Sequence, residues 1–412
     1  MNRRSSIAAE ADVAGNTPSR PDDHRWWRRA APAVVGSWIV ARLAVACGFV
    51  LAHLLDGHVR DVGGSLHLRQ GLLTWDGTHY ALLTEVGFGR AQAESLRFFP
   101  LYPLLAKVLS PLAGVDAALA VVSNAAALGA MFVLWRIVVD WGYGESIASR
   151  TVWAAAVFPS AFCLAFAYSE ALFLLVLFAA VLAVERNRPW PAVAALLAVG
   201  LTRPTGVMVV LPVALAAWYR WHRGAGGLCE HEAGARGLSR RAGRGRPVVG
   251  WAAAILAPAA GLALYLGFLE KSRGLGSLPL DEQRTLRAGF REPITRLVSA
   301  AFDVVRGDFQ DLYNLAFAVG ALVVVVVALR RRVSVPWTAL LVVGILVAAS
   351  ANNIDSFGRY VLTLGPVLPL GIALLVSGHR RGGRVARLAA VACGFAGMAW
   401  LTAGALLGRI VP

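Results

Sequence analysis

Long apolar runs separated by short, arginine-bearing polar connections dominate the chain. They lie near 32–55, 115–136, 148–166, 169–185, 189–202, 205–221, 248–270, 311–329, 335–351, 359–377 and 386–410. Most approach the ~20 residues a helix needs to cross the ~30 Å hydrocarbon core of a bilayer. The pattern predicts an all-α polytopic membrane protein with about 11 transmembrane helices. The run at 189–202 is short enough for a half-helix. Residues 98–113 are apolar but carry Pro100, Pro103 and Pro111. Proline removes a backbone donor and breaks helices, so this piece is expected to be re-entrant or interfacial.

Outside the apolar runs the chain is polar. Residues 1–31 are rich in Pro, Asp and Arg and read as a disordered cytoplasmic N-terminus. Residues 32–412 read as one membrane domain. Within it, 56–97 is a long first outer loop and 223–247 is a Gly/Arg-rich, flexible cytoplasmic loop carrying His231. The first apolar run is too long for a signal-peptide core and reads as an uncleaved span.

Charge sets the orientation. The 412 residues carry a net charge of +16, and lysine occurs only at 107 and 271, so the positive charge is nearly all arginine. Arginine-bearing loops stay on the cytoplasmic side. Arg25, Arg28 and Arg29 precede the first run. Counting alternately from them puts Arg136/Arg150, Arg186/Arg188, Arg220 to Arg246, Arg330–Arg332 and Arg380–Arg387 inside. Basic residues confined to such loops point to anionic headgroups rather than nucleic acid. The outer side then receives the loop 56–97, the Pro-rich 98–113, Tyr168-Ser169-Glu170, Arg203-Pro204-Thr205-Gly206 and the stretch Asn352 to Tyr360. The long loop 271–310 also falls outside, with both acids and bases. The four cysteines show no metal-ligand spacing, which argues against a zinc site or a disulfide framework.

Most candidate chemistry lies among those outer residues. Asp76 stands in Trp75-Asp76-Gly77-Thr78-His79-Tyr80, where Trp and Tyr favour the headgroup level. Gly77 is expected to let the backbone bend so that the carboxylate faces a cavity. Such an Asp serves either as a general base on a substrate hydroxyl or as the cap of a short interfacial helix. Glu170 lies at a helix mouth, where a carboxylate is costly unless paired, and its candidate partners are Arg203 and Arg359. Those two arginines suit a lipid phosphate, which guanidinium grips as a fork, or they snorkel to headgroups. Arg42 lies inside the first run, where it needs a partner. Glu85 is a solvated residue or, with Asp76, one of a pair for a divalent cation.

Taken in order, these motifs resemble the PIG-V-like family, the glycosylphosphatidylinositol mannosyltransferase 2 type with bacterial members. The matching stretches are Trp75–Tyr80, Phe98-Phe99-Pro100-Leu101-Tyr102-Pro103-Leu104-Leu105, Phe158-Pro159-Ser160-Ala161-Phe162 with Tyr168-Ser169-Glu170, Gly200 to Gly206, and Ser356-Phe357-Gly358-Arg359-Tyr360. The resemblance implies a GT-C fold with extracytoplasmic loop helices. It implies a polyprenyl-phosphate-mannose donor and a catalytic acid in the first outer loop, which is Asp76 here. Trp75, His79, Tyr80, Glu170, Arg203, Arg359 and Tyr360 become the expected substrate contacts. The acceptor is expected to be a glycolipid or lipoglycan, and the location a bacterial plasma membrane with the active site outside. The chain departs from the family at His79, where an aromatic is common, and at Gly87-Phe88, where Gly-Tyr is common.

Two other classes stay open at this point. One is a transporter or flippase of lipid-linked sugars, although ionisable groups near the midplane and an internal repeat would suit it better. The other is an inactive subunit of an envelope-building complex. No cofactor is demanded by the motifs, and a divalent cation (Mg or Mn) at Asp76 and Glu85 is left open.

Overall fold

The computed structural model describes residues 25–58, 64–223, 248–286, 288–307, 310–377 and 382–412. All but Arg223 of the expected flexible segment 223–247, and most of the polar N-terminus, therefore lie outside the described residues; Arg223 ends a helix. The N-terminal expectation needs one correction. Residues 26–31 are not irregular but open the first helix, α1 (Trp26–Asp56).

The described residues are helical, with one isolated β-bridge between Phe290 and Ala351. After α1 come α2 (Gly64–Gln70), α3 (Asp76–Val86), α4 (Leu101–Ala113), α5 (Val115–Asp140), α6 (Gly144–Ala156), α7 (Glu170–Glu185), α8 (Pro189–Thr202) and α9 (Val210–Arg223). The second half holds α10 (Val248–Arg273), α11 (Leu278–Leu286), α12 (Pro293–Val305), α13 (Gln310–Arg330), α14 (Val335–Ala349), α15 (Phe357–Leu362), α16 (Val367–Leu375) and α17 (Gly382–Leu406). Among the described residues, α1, α5, α10, α13 and α17 are long and apolar enough to cross a membrane. This is a multi-pass membrane protein. Its helices are less uniform than the apolar runs suggest: α7, α8 and α14 have 16, 14 and 15 residues.

Three apolar runs are broken rather than continuous. Residues 148–166 become α6 followed by a 3-10 turn from Pro159 to Leu164. Residues 205–221 open with a 3-10 turn at Pro204–Val209 before α9. Residues 359–377 split into α15 and α16 at Gly365 (φ 101°) and Pro366. Each break has a proline, which the preceding turn cannot accommodate in an unbroken ladder. Irregular backbone is tolerated at membrane depth only where protein or a polar cavity surrounds it. The breaks carry Tyr168, Arg203 and Arg359 to one end of the bundle.

The opposite end holds ion pairs of its own. The far end ties its arginines to acids: Arg29 to Glu145 at 2.8 Å, and Arg136 and Arg186 both to Asp140 at 2.8 Å. There Trp337 Nε1 donates to Glu185 at 2.6 Å, and Arg150 donates to Ser377 at 3.0 Å. Trp27, Trp190, Trp218 and Trp221 lie exposed near the same end, as expected of side chains at a membrane–water boundary. Arg29, Arg136, Arg150 and Arg186, all counted as inside, thus share one end, while Arg380, Arg381 and the arginines between 224 and 247 lie outside the described residues.

Segment 98–113 forms α4, only 13 residues long, with Leu104, Leu105, Val108 and Leu112 exposed. At ~1.5 Å per residue it spans about 20 Å, too short to cross, in keeping with an interfacial piece. Arg42 is satisfied inside the bundle. Its guanidinium donates to Asn124 Oδ1 at 2.9 Å and the Leu164 carbonyl at 3.3 Å, and it lies over the Trp38 ring.

Helices α8 and α10 approach most closely at Gly200 and Gly261. A β-carbon on Gly200 would stand 2.1 Å from the Pro258 carbonyl oxygen, and one on Gly261 2.5 Å from that of Leu197. Gly200→Ala is therefore expected to push the helices apart and cost ~1–3 kcal/mol, as overpacking does. A lowered thermal midpoint in detergent checks this. The site residue Arg203 should shift with it, because it caps the C-terminus of α8.

Candidate functional site

The chain reaches Asp76 through a strained elbow. Trp75 has φ 58° and ψ −120°, a conformation open mainly to glycine. Gly77 is an ordinary helical residue, so the bend expected at Gly77 falls instead at Trp75. Surrounding contacts hold it. Trp75 Nε1 donates to the Ala405 carbonyl at 2.9 Å, and the His67 ring stacks on the indole at 4.3 Å. Either side of the elbow is also fixed: Tyr168 Oη donates to the Thr74 carbonyl at 3.1 Å and Ala167 N to the Leu72 carbonyl at 2.9 Å. Asp76 emerges as the first residue of α3. There the unsatisfied backbone N–H groups favour a negative charge.

Four charges from four segments meet at this point. Arg359 Nη1 lies 2.6 Å from Asp76 Oδ2, and its Nε lies 3.2 Å from Glu170 Oε1. Arg203 Nη1 pairs with the same Glu170 oxygen. Both expected partners of Glu170 are therefore its partners at once. Arg203 also reaches Ser169 Oγ at 3.5 Å, and Tyr80 Oη donates to that oxygen at 2.7 Å. The Arg359 guanidinium lies over the Tyr168 ring. Arg203 and Arg359 expose only 12% and 11% of their side chains, so neither snorkels to headgroups.

Burial pushes the Asp76 carboxyl up. The charge and hydrogen bond of Arg359, with Arg97 and Arg203 further off, outweigh it and leave the group below the usual carboxylate range. His79 is held below the usual imidazole value by burial and by Arg97, against the opposing pull of Glu94 and Asp76. It is neutral at pH 7, and its ring stacks on Phe98 at 4.9 Å.

The cluster forms part of the wall of a cavity of about 200 Å³. Asp76, the expected catalytic acid, lines it with four of the expected substrate contacts, Tyr80, Arg203, Arg359 and Tyr360. Three other expected contacts do not. Trp75 is the structural elbow, His79 turns to Ser95 (2.9 Å) and Phe98, and Glu170 lies wholly buried behind the two arginines it joins. Arg97, Thr205 and Asp355 line the cavity without having been singled out. Arg97 lies in a 3-10 turn, Ala93–Arg97, between two motifs, and nothing in its local sequence marks it.

The Asp76–Glu85 metal pair is not formed. The residues lie nine positions apart on one helix, ~900° of rotation and so half a turn out of phase, and about 14 Å along the axis. Glu85 is exposed. Among the described residues no three His, Cys, Asp or Glu side chains converge as metal ligands. Asp76 and Glu85 therefore do not fit a shared divalent cation.

Removing Arg359 should reverse the balance at Asp76. The depressed value means that ionised Asp76 stabilises the fold above its unfolded value of ~3.9, and that this contribution fades as pH falls through the lower folded value. In Arg359→Gln, burial dominates and the value rises. The acid limb of any Asp76-dependent activity is then expected to move upward in pH, which a pH–rate profile of both proteins measures.

Comparison of the chain with protein-family models, with curated proteins and with solved structures gives no match.

Proposed function

We propose that the protein is an inverting glycosyltransferase of the GT-C type. In this reading it moves a mannosyl residue from a polyprenyl-phosphate-mannose donor to a glycolipid or lipoglycan acceptor on the extracytoplasmic face of a bacterial plasma membrane. The observation that carries it is a carboxylate, Asp76, held ionised by Arg359 in the wall of a cavity shared with Arg97 and Arg203. A positioned base beside several guanidiniums suits a hydroxyl acceptor and a phosphate leaving group.

Chemistry follows from that pairing. The acceptor oxygen attacks the anomeric carbon, and its proton passes to Asp76. The bond from that carbon to the phosphate oxygen breaks on the opposite face, and the phosphate leaves with the electron pair. Cations at the cavity stabilise the charge that develops there. Arg359 lowers the basicity of Asp76 but keeps it deprotonated and aimed. The exposed apolar face of α4 offers lipid contacts at the site end of the bundle.

The clustering of these groups at one end of the bundle favours transfer over transport, since a transporter concentrates its ionisable groups near the midplane. Purified protein in detergent, where no gradient exists, is expected to transfer labelled mannose from a short-chain polyprenyl-phosphate donor to a membrane lipid extract. Mass spectrometry of the product then names the acceptor. Absence of transfer with every lipid-linked sugar tried, alongside uptake of such lipids into proteoliposomes, would favour the flippase instead.

A further inference from the structure

Arg203, Arg359, Asp76 and Glu170 form a closed group of two cations and two acids. The two arginines are committed before any ligand arrives. Arg97 is different. Its side chain is 12% exposed, and its only acidic contact within 4 Å among the described residues is Glu94, at 3.6 Å and itself 57% exposed. A surface pair of that length contributes little. Arg97 Nη1 is buried and has no hydrogen-bond partner. Thr205 Oγ1 on the same cavity is likewise buried and unpartnered. Asp355 also lines the cavity but forms no ion pair with any of the three arginines among the described residues.

Buried donors without acceptors are costly. Arg359 Nε also lacks a hydrogen bond, but the fully buried Glu170 carboxylate stands 3.2 Å from it; Arg97 Nη1 has only the exposed Glu94 and Thr205 Oγ1 has no hydrogen-bond partner, which indicates a ligand that supplies the acceptors. They come from separate segments, the 3-10 turn Ala93–Arg97 and the turn after α8. A tetrahedral phosphate accepts from several directions at once and carries a negative charge complementary to the Arg97 guanidinium. We propose that Arg97 and Thr205 form the anion seat of the cavity, binding the phosphate of a phosphate-bearing ligand, while Arg203 and Arg359 form the frame that positions Asp76. The assignment of that phosphate to a sugar donor rests on the transferase reading; the seat itself does not.

Equilibrium binding to the full chain in lipid nanodiscs tests this, with inorganic phosphate, a short-chain prenyl monophosphate and the matching prenyl alcohol as probes. Arg97→Ala is expected to weaken prenyl phosphate binding at least about tenfold, and Thr205→Val, nearly isosteric, several-fold. Arg97→Lys should fall between Arg97→Ala and wild type. Binding of the alcohol should be unchanged in all three. Inorganic phosphate competing in an Arg97-dependent way identifies the phosphate alone as the ligand group, and failure to compete identifies a lipid-borne phosphate; both support the seat. Wild-type affinity in Arg97→Ala and Thr205→Val, equal loss of phosphate and alcohol, or no phosphate binding by wild type overturns it. Arg97-dependent binding without sugar transfer would leave the seat standing and remove the transferase reading.

Discussion

Asp76→Asn is expected to lower sugar transfer by ~10²- to 10⁴-fold, the range a positioned general base contributes. Asparagine has nearly the same shape and still accepts a hydrogen bond from Arg359, but it takes no proton at neutral pH. The variant should retain donor binding, because the cations that face the phosphate remain. The loss should therefore fall on kcat rather than on KM. Arg359→Gln separates the base from its holder: it leaves the carboxylate, moves its acid limb upward and lowers the rate through poorer aim. A transfer rate in Asp76→Asn within a few-fold of wild type would exclude a base role.

The second large effect is structural. Glu170 is fully buried and is the acid that Arg203 and Arg359 share. Glu170→Gln keeps the volume but leaves two buried guanidiniums with one acid, Asp76, between them. Removing one partner of a buried ion pair typically costs ~3–5 kcal/mol. A clear drop in the thermal midpoint in detergent is expected, with Glu85→Gln as an exposed control that leaves it unchanged. An unaltered midpoint in Glu170→Gln would show that the cluster contributes no net stability. Activity is also expected to fall, since Arg359 loses the second of its two anchors.

Much of this arrangement was legible in the residues. Most apolar runs each located one helix, while three ran across a break, and counting arginines grouped Arg29, Arg136, Arg150 and Arg186, which the structure also brings to one end. Glu170 with Arg203 or Arg359 was legible because a carboxylate at an apolar helix mouth demands a cation. That one oxygen holds both was not, since it depends on how α7, α8 and α15 converge. Glu85 is exposed, as its solvated reading has it; the alternative metal pair fails for a reason the chain itself contains: once Asp76 starts a helix, nine residues place Glu85 on the opposite side. The elbow at Trp75 was hidden because strain at a non-glycine residue is imposed by distant contacts, here the Ala405 carbonyl and His67. Arg97 was hidden for a similar reason. Its value lies in what it lacks, a hydrogen-bond acceptor for Nη1, and that is a property of the folded cavity. Broken helices at Pro159, Pro204 and Pro366 were foreshadowed by their prolines, yet hydropathy alone merged each with its neighbour.

The most direct test is single-turnover transfer of labelled mannose from a short-chain polyprenyl-phosphate mannose, measured side by side for wild type and Asp76→Asn in nanodiscs containing a bacterial lipid extract. The account predicts a labelled, anomerically inverted product from wild type and at least ~100-fold slower formation by the variant, with donor binding retained. Equal product formation by the two proteins, or a product with retained anomeric configuration, would contradict it.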